Sequence, residues 1–252
     1  MPTRAPLSSD FPPSLTVTIT PPPPSSSSPS PNILLLLHGL GDTATSFTSF
    51  GRALNLPETT ILTLQAPTKL PFDLPGFHWG DDVSFDSTTG GLDMDAGFNR
   101  AVKLILDDVI HNILIQKCGY RPREIMILGF GQGGMAGLVA ARELSKTTSS
   151  TGTDKELSGI ISIGAPYPLS GSTMGSKSRT PVLLVAGRDS PVVTDTAVQR
   201  TKNVFEFVEL HRYARKGDGM PRSREEMMPI MQFFARRLRS RQGVPEDAVE
   251  IT

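Results

Sequence analysis

Gly129-Phe130-Gly131-Gln132-Gly133 is the stretch on which the reading of this chain turns. Residues 124–128 before it form a strand-like run, and Gly134-Met135-Ala136-Gly137-Leu138-Val139-Ala140-Ala141 after it reads as a helix. Strand, sharp turn and helix are the setting in which G-x-S-x-G presents a serine hydroxyl. Here glycine stands where that serine would be, so the setting is present without the hydroxyl.

The same six residues, Gly129 to Gly134, also satisfy G-x-G-x-x-G through Gly129, Gly131 and Gly134. A dinucleotide site of that kind needs a carboxylate about 20 residues further on, at the end of the next strand. The intervening segment is a polar loop, and the next apolar run, 159–164, ends in Ala165-Pro166 without an acid. The glycine pattern alone is weak evidence for a dinucleotide.

Upstream, Ile33-Leu34-Leu35-Leu36-Leu37 is a continuous apolar run, as a strand buried on both faces requires. It leads directly into His38-Gly39-Leu40-Gly41-Asp42. Together with the elbow, this resembles the acyl-protein thioesterase and phospholipase-carboxylesterase family of α/β-hydrolases, whose members carry HGLGD after an early central strand and GFSQGG at the elbow. The likeness runs from about Ile33 to Leu238. It includes Gln65-Ala66-Pro67 after the next strand, Trp79 shortly beyond, residues 187–193 after a late strand, and a final helix carrying Glu226-Met227-Met228. It implies an α/β-hydrolase fold, with a mostly parallel central sheet and helices on both faces.

Composition agrees with one such domain. At 252 residues the chain suits a single α/β unit. A net charge of +0 and a hydrophobic fraction of 38% point neither to a nucleic-acid surface nor to a disordered chain. The single cysteine, Cys118, excludes an internal disulfide and fits a reducing compartment. No apolar signal core, lipidation motif or membrane-length run stands out, so a soluble, cytoplasmic protein is expected, without metal or cofactor.

Ten of the 22 prolines fall within the first 31 residues, alongside Ser25-Ser26-Ser27-Ser28. Residues 1–13 are expected to be a disordered leader, and 14–240 one domain. Inside that domain Leu15-Thr16-Val17-Thr18-Ile19-Thr20 alternates like an edge strand, 21–32 is a Pro/Ser-rich loop, and 145–158 is a polar loop. Residues 241–252 form an acidic tail. Strands are expected at 59–64, 124–128, 159–163, 182–186 and 204–210, with helices between them. The longest helix is expected over 92–117, with Phe98, Ala101, Val102, Ile105, Val109 and Ile113 on one face. Near the C-terminus, Ser223 and Glu226 have capping-box spacing, and Pro229 interrupts the following helix or marks its first turn. Arg236, Arg237, Arg239 and Arg241 read as a solvated face balanced by Glu246, Asp247 and Glu250.

A serine hydrolase of this kind needs serine, carboxylate and histidine in that chain order. By the resemblance, the nucleophile position is Gly131, and the acid belongs immediately before a proline, where Gly187-Arg188-Asp189-Ser190-Pro191 places Ser190. Asp189 is displaced by one residue, and Asp195 is a poorer substitute. The histidine position aligns with Arg222 through the family's glycine-methionine-histidine turn, or with Met220 when counted back from the methionine pair. Neither thioether nor guanidinium is a useful base. The chain has four histidines, His38, His78, His111 and His211; none follows His211, which is read as part of the last strand.

The resemblance leaves an electrostatic remnant: the amides of Leu40 and Gln132 as an oxyanion hole, with His38, Gly39, Trp79 and Arg222 as further ligand-binding candidates. The leading expectation is a catalytically impaired member that binds an acyl or small anionic ligand, or a protein partner, in the old cleft. Arg222, with Arg188 close by, would face those amides; equally, Arg222 would simply pair with Asp189. The alternatives are ester or thioester hydrolysis by an atypical nucleophile, Ser162, Ser170 or Ser190, and dinucleotide binding.

Overall fold

The computed structural model describes residues 2–24, 29–85, 90–146 and 155–241. The Ser25 to Ser28 run, residues 147–154 of the polar loop and the acidic tail from 242 onward lie outside the described residues.

A seven-stranded sheet runs through the molecule in the order β1-β3-β2-β6-β7-β8-β9. Its strands are β1 (Val17–Thr20), β2 (Asn32–Leu37), β3 (Thr59–Leu64), β6 (Ile125–Phe130), β7 (Gly159–Ile163), β8 (Val182–Ala186) and β9 (Val208–Arg212). Only β1, at the edge, is antiparallel, as its alternating sequence suggests; all other neighbours are parallel. A short hairpin of β4 (Thr68–Lys69) and β5 (Phe77–His78) stands apart.

Alternate residues of the apolar strands serve two separate cores. Ile33, Leu35, Leu37, Ile125 and Ile127 pack on one face with a long helix, α3 (Gln132–Lys146) and α4 (Asp195–Val204). Leu34, Leu36, Met126 and Leu128 pack on the other with α1 (Ala44–Leu54) and α5 (Arg224–Arg237). This explains the unbroken apolar runs: a parallel strand covered on both faces has no polar side to show.

The structure departs from the sequence reading at four places. The helix expected over 92–117 starts only at Asn99, as α2 (Asn99–Val102), and continues as a π-helix over Lys103–Lys117. Its start is set by tertiary contact, because Asp81 accepts the Asn99 and Arg100 amides at 2.8 Å each. Ile105, Val109 and Ile113, and beside them Leu106, Ile110 and Leu114, are buried at a four-residue repeat that suits the wider π turn. The strand expected over 204–210 begins at Val208, since Val204 ends α4, whose start is capped by the Thr194 hydroxyl.

The N-terminal segment, expected to be disordered, packs on the domain. The Arg4 amide donates to the Cys118 carbonyl at 2.9 Å, its guanidinium grips Asp10 at 2.6 and 2.7 Å, and Phe11 joins the core. One buried aromatic outweighs the proline-rich composition there. Two of the arginines near the C-terminus find acids inside the domain, Arg236 meeting Glu209 at 2.7 Å and Arg239 meeting Glu124 at 2.8 Å, while the Arg241 backbone amide donates to Glu58 at 3.0 Å. In α5 the Ser223 hydroxyl accepts the Glu226 amide at 3.2 Å, and Pro229 lies within the helix.

Candidate functional site

At the end of β6 the chain turns sharply. The Gly131 amide donates to the Ile163 carbonyl at 2.9 Å, and the Gly131 carbonyl accepts the amides of Gly134 at 2.9 Å and Met135 at 3.2 Å, which starts α3. Gly131 has φ +52°, in the left-handed region where an L residue costs about 1–2 kcal/mol. A Cβ built on Gly131 meets only the Met94 sulfur, at 3.8 Å, so the space a side chain would use is open.

The flanking glycines have no such room. A Cβ on Gly129 would lie 2.5 Å from the Gly133 carbonyl oxygen, one on Gly133 would lie 2.4 Å from the His38 carbonyl oxygen, and one on Gly134 would lie 2.3 Å from the Ser162 hydroxyl. Close packing at Gly129 and Gly134, with the left-handed φ of Gly131, accounts for the glycine pattern without a dinucleotide.

Opposite the elbow lies the loop after β2. Leu40 and Gln132 are the residues whose amides the resemblance assigns to an oxyanion hole, and among the described residues neither amide donates to a protein acceptor. Three of the other candidates named with them, His38, Gly39 and Trp79, pack behind these residues. Trp79 donates its indole N–H to the His38 carbonyl at 2.8 Å and its amide to the Gln132 side chain at 2.7 Å, and the Gln132 amide group donates to the Met94 carbonyl at 3.2 Å. Gly39 is needed because a Cβ there would meet the Phe130 ring at 2.8 Å. His38 and Trp79 are fully enclosed and present no surface to a ligand.

The His38 ring has both nitrogens in use. Nδ1 lies 2.7 Å from the Gly39 carbonyl and donates to it, while Nε2 accepts from the Gln65 side chain at 2.8 Å and the Ala66 amide at 3.1 Å. This is the neutral imidazole, and burial holds its pKa below the usual histidine value. The unfolded chain takes up a proton here below about pH 6.5 while the folded chain resists it. Stability is therefore expected to fall as pH drops from about 7.5 to about 5.5, measured by urea midpoints. His38→Gln should flatten the slope, leaving the share of His78, which burial also lowers. An unchanged slope would mean that His38 is not held neutral.

The third part of the site is the pair of loops after β8 and β9. Ser190 accepts the amides of Val192 at 3.2 Å and Val193 at 2.8 Å, and donates its one proton to Asp218 at 2.6 Å. Asp218 also accepts the Gly187 amide at 2.9 Å. Its side chain packs over Gly164, the residue after the carbonyl that receives the Gly131 amide; a Cβ on Gly164 would lie 3.1 Å from the Asp218 Cβ. Arg215 secures this loop, donating to the carbonyls of Gly219 at 3.2 Å and Met220 at 2.9 Å and pairing with Glu226 at 2.7 Å.

The sequence reading missed Asp218. It looked for a histidine in a glycine-methionine turn and passed over Gly217-Asp218-Gly219, where two glycines flank one polar side chain.

The other candidates are placed elsewhere. Arg222 is exposed, and its amide donates to Glu226 at 2.7 Å. Asp189 has Lys216 as its cation at 3.8 Å, in place of the pairing with Arg222, and Arg188 is exposed with its amide on the Arg215 carbonyl. Met220 joins the apolar core on the α5 face, and Asp195 pairs with Arg212 at 3.2 Å. His211 lies in β9 with its ring beside Tyr213. Ser162 is fully buried and donates to the Ala165 carbonyl at 2.6 Å, while exposed Ser170 bonds Asp95. Among the described residues no cluster of three or more histidine, cysteine or carboxylate groups is arranged to hold a metal, and no helix is long and apolar enough to cross a membrane.

Residues 24–238 match the model of the phospholipase/carboxylesterase family. The chain belongs to this family. It is 32% identical over 227 residues to an uncharacterized hydrolase of Schizosaccharomyces pombe, covering 88% of this chain and 89% of that protein. It is 34% identical over 215 residues to an uncharacterized hydrolase of Mycosarcoma maydis, covering 83% and 78% respectively. Among solved structures, esterase PE8 superposes with a TM-score of 0.68 at 21% identity, over 89% of this chain and 99% of that one. Acyl-protein thioesterase 2 of Zea mays does so with 0.60 at 20% identity, over 88% and 98%. The fold is thus that of an α/β-hydrolase, and the elbow, the HGLGD loop and the Ser190–Asp218 contact sit within the family's extent.

Proposed function

We propose that this chain works without an acyl-enzyme, holding an acyl-bearing ligand non-covalently in the cleft between the Leu40 loop, the elbow and the Asp218 loop. The observation that carries this reading is Gly131: an open socket at the head of α3, with neither a hydroxyl in it nor an imidazole on the loop that faces it. Loss of serine or histidine alone costs a serine hydrolase about a million-fold in turnover. The amides of Leu40 and Gln132, which donate to no protein acceptor among the described residues, are left for a ligand's carbonyl oxygen, and the start of α3 adds its dipole. The enclosed or hydrogen-bonded states of Ser162, Ser170 and Ser190 argue against an atypical nucleophile. The single, buried thiol of Cys118 supports a cytoplasmic setting.

A fluorophosphonate probe is expected to leave the protein unlabelled, as read by intact-mass spectrometry. Stoichiometric labelling at any serine would overturn the proposal. Slow ester turnover would not, since an oxyanion hole alone can accelerate hydrolysis roughly 10³ to 10⁴-fold over water.

A further inference from the structure

The hydrogen bond between Ser190 and Asp218 has a fixed direction. Both Ser190 lone-pair sites are taken by the Val192 and Val193 amides, so its proton goes to Asp218. Asp218 takes that proton on one oxygen and the Gly187 N–H on the other, which makes it an acceptor on both sides. In a serine hydrolase the acid accepts and the histidine donates, so the group nearest the nucleophile is an imidazole. Here the polarity is reversed, and the terminal group beside the elbow is a carboxylate with unused lone pairs. Its backbone is held closely: a Cβ on Gly187 would lie 2.2 Å from the Gly217 carbonyl oxygen, and Arg215 ties down the far end of the loop.

We infer that Asp218 sets the ligand class of the cleft, favouring acyl groups that carry an N–H or cationic donor beside the carbonyl, and disfavouring free carboxylates. The inference rests on the acyl-binding reading above. The Leu40 and Gln132 amides offer donors to a carbonyl oxygen, and Asp218 offers an acceptor to the neighbouring atom. An amide satisfies both. A fatty-acid carboxylate satisfies the first and is repelled by the second, because like charges brought together cost affinity. The basic group expected from sequence to face the amides, Arg222, lies exposed on the α5 side and does not reverse this balance.

Isothermal titration with octanamide and octanoate at neutral pH tests the inference, because the two probes match in chain length and differ at the head. The wild-type protein is expected to bind octanamide at least about tenfold more tightly, the scale of one charge-assisted hydrogen bond. Asp218→Asn and Asp218→Ala should each shrink that ratio by about tenfold, chiefly by admitting octanoate, with thermal unfolding confirming that both are folded. Octanoate binding as well as or better than octanamide in the wild type, or a ratio unmoved in both variants, would overturn the role of Asp218 and leave the acyl-binding reading standing. No binding of either probe to the wild type would overturn both. The wild-type ratio decides even if a variant unfolds.

Discussion

The triple variant G131S/S190D/D218H is expected to hydrolyse a p-nitrophenyl ester at least about a thousandfold faster than G131S alone, a part of the million-fold that an intact triad supplies. The expectation follows from three placements. The socket at Gly131 is open to a Cβ, which would meet only the Met94 sulfur, at 3.8 Å. The carboxylate introduced by S190D stands directly before Pro191, where the family carries its acid, and the Ser190–Asp218 contact of 2.6 Å shows that these two positions reach one another. The imidazole introduced by D218H would then donate to that new carboxylate and present its second nitrogen toward the elbow. Serine alone gains little, because nothing takes its proton. The controls are G131S/S190D/R222H and G131S/S190D/M220H, which put the imidazole at the positions read from sequence. Recovery in either control that matched the D218H variant would show that Asp218 does not hold the histidine's place.

Gly133→Ala is expected to destabilise the fold by about 3 kcal/mol or more, at the upper end of what overpacking costs. Alanine is the better helix former by about 1 kcal/mol, so propensity by itself would favour the change. Its Cβ, however, would lie 2.4 Å from the His38 carbonyl oxygen and 2.6 Å from that of Leu37, and both are backbone atoms that cannot rotate away. Gly131→Ala is the matched comparison: it has room and loses only about 1–2 kcal/mol to its left-handed φ. Urea denaturation of the two variants should separate them clearly. Equal losses would mean that the contact between the elbow and the HGLGD loop is looser than the structure has it.

Gly131→Ala and Gly133→Ala show where the boundary between sequence and structure falls. Both glycines are visible in the elbow motif, yet one is required for packing and the other leaves an empty socket. Only the neighbours brought up by folding, Met94 from a loop and His38 from the end of β2, separate the two cases.

The sheet and the family were legible in the chain before any folding was considered. Apolar runs such as Ile33 to Leu37 read as strands buried on both faces, and they become so because alternate side chains feed two cores. Ordered motifs from HGLGD to the Glu226-Met227-Met228 helix carried the family resemblance that implied the α/β-hydrolase fold. The missing serine was legible because the elbow is a local turn. The contact between Ser190 and Asp218 was not, because these residues sit on loops 28 residues apart that meet only in space. A loop of Gly217-Asp218-Gly219 carries no period or cap that says which way Asp218 points. Its direction comes from the Gly187 amide, the Ser190 hydroxyl and the Arg215 clamp, which only the folded chain assembles. Folding likewise makes Phe11 part of the core and lets a distant carboxylate, Asp81, start the long helix at Asn99. In each case the deciding partner comes from a remote part of the chain, and no local pattern encodes a remote partner.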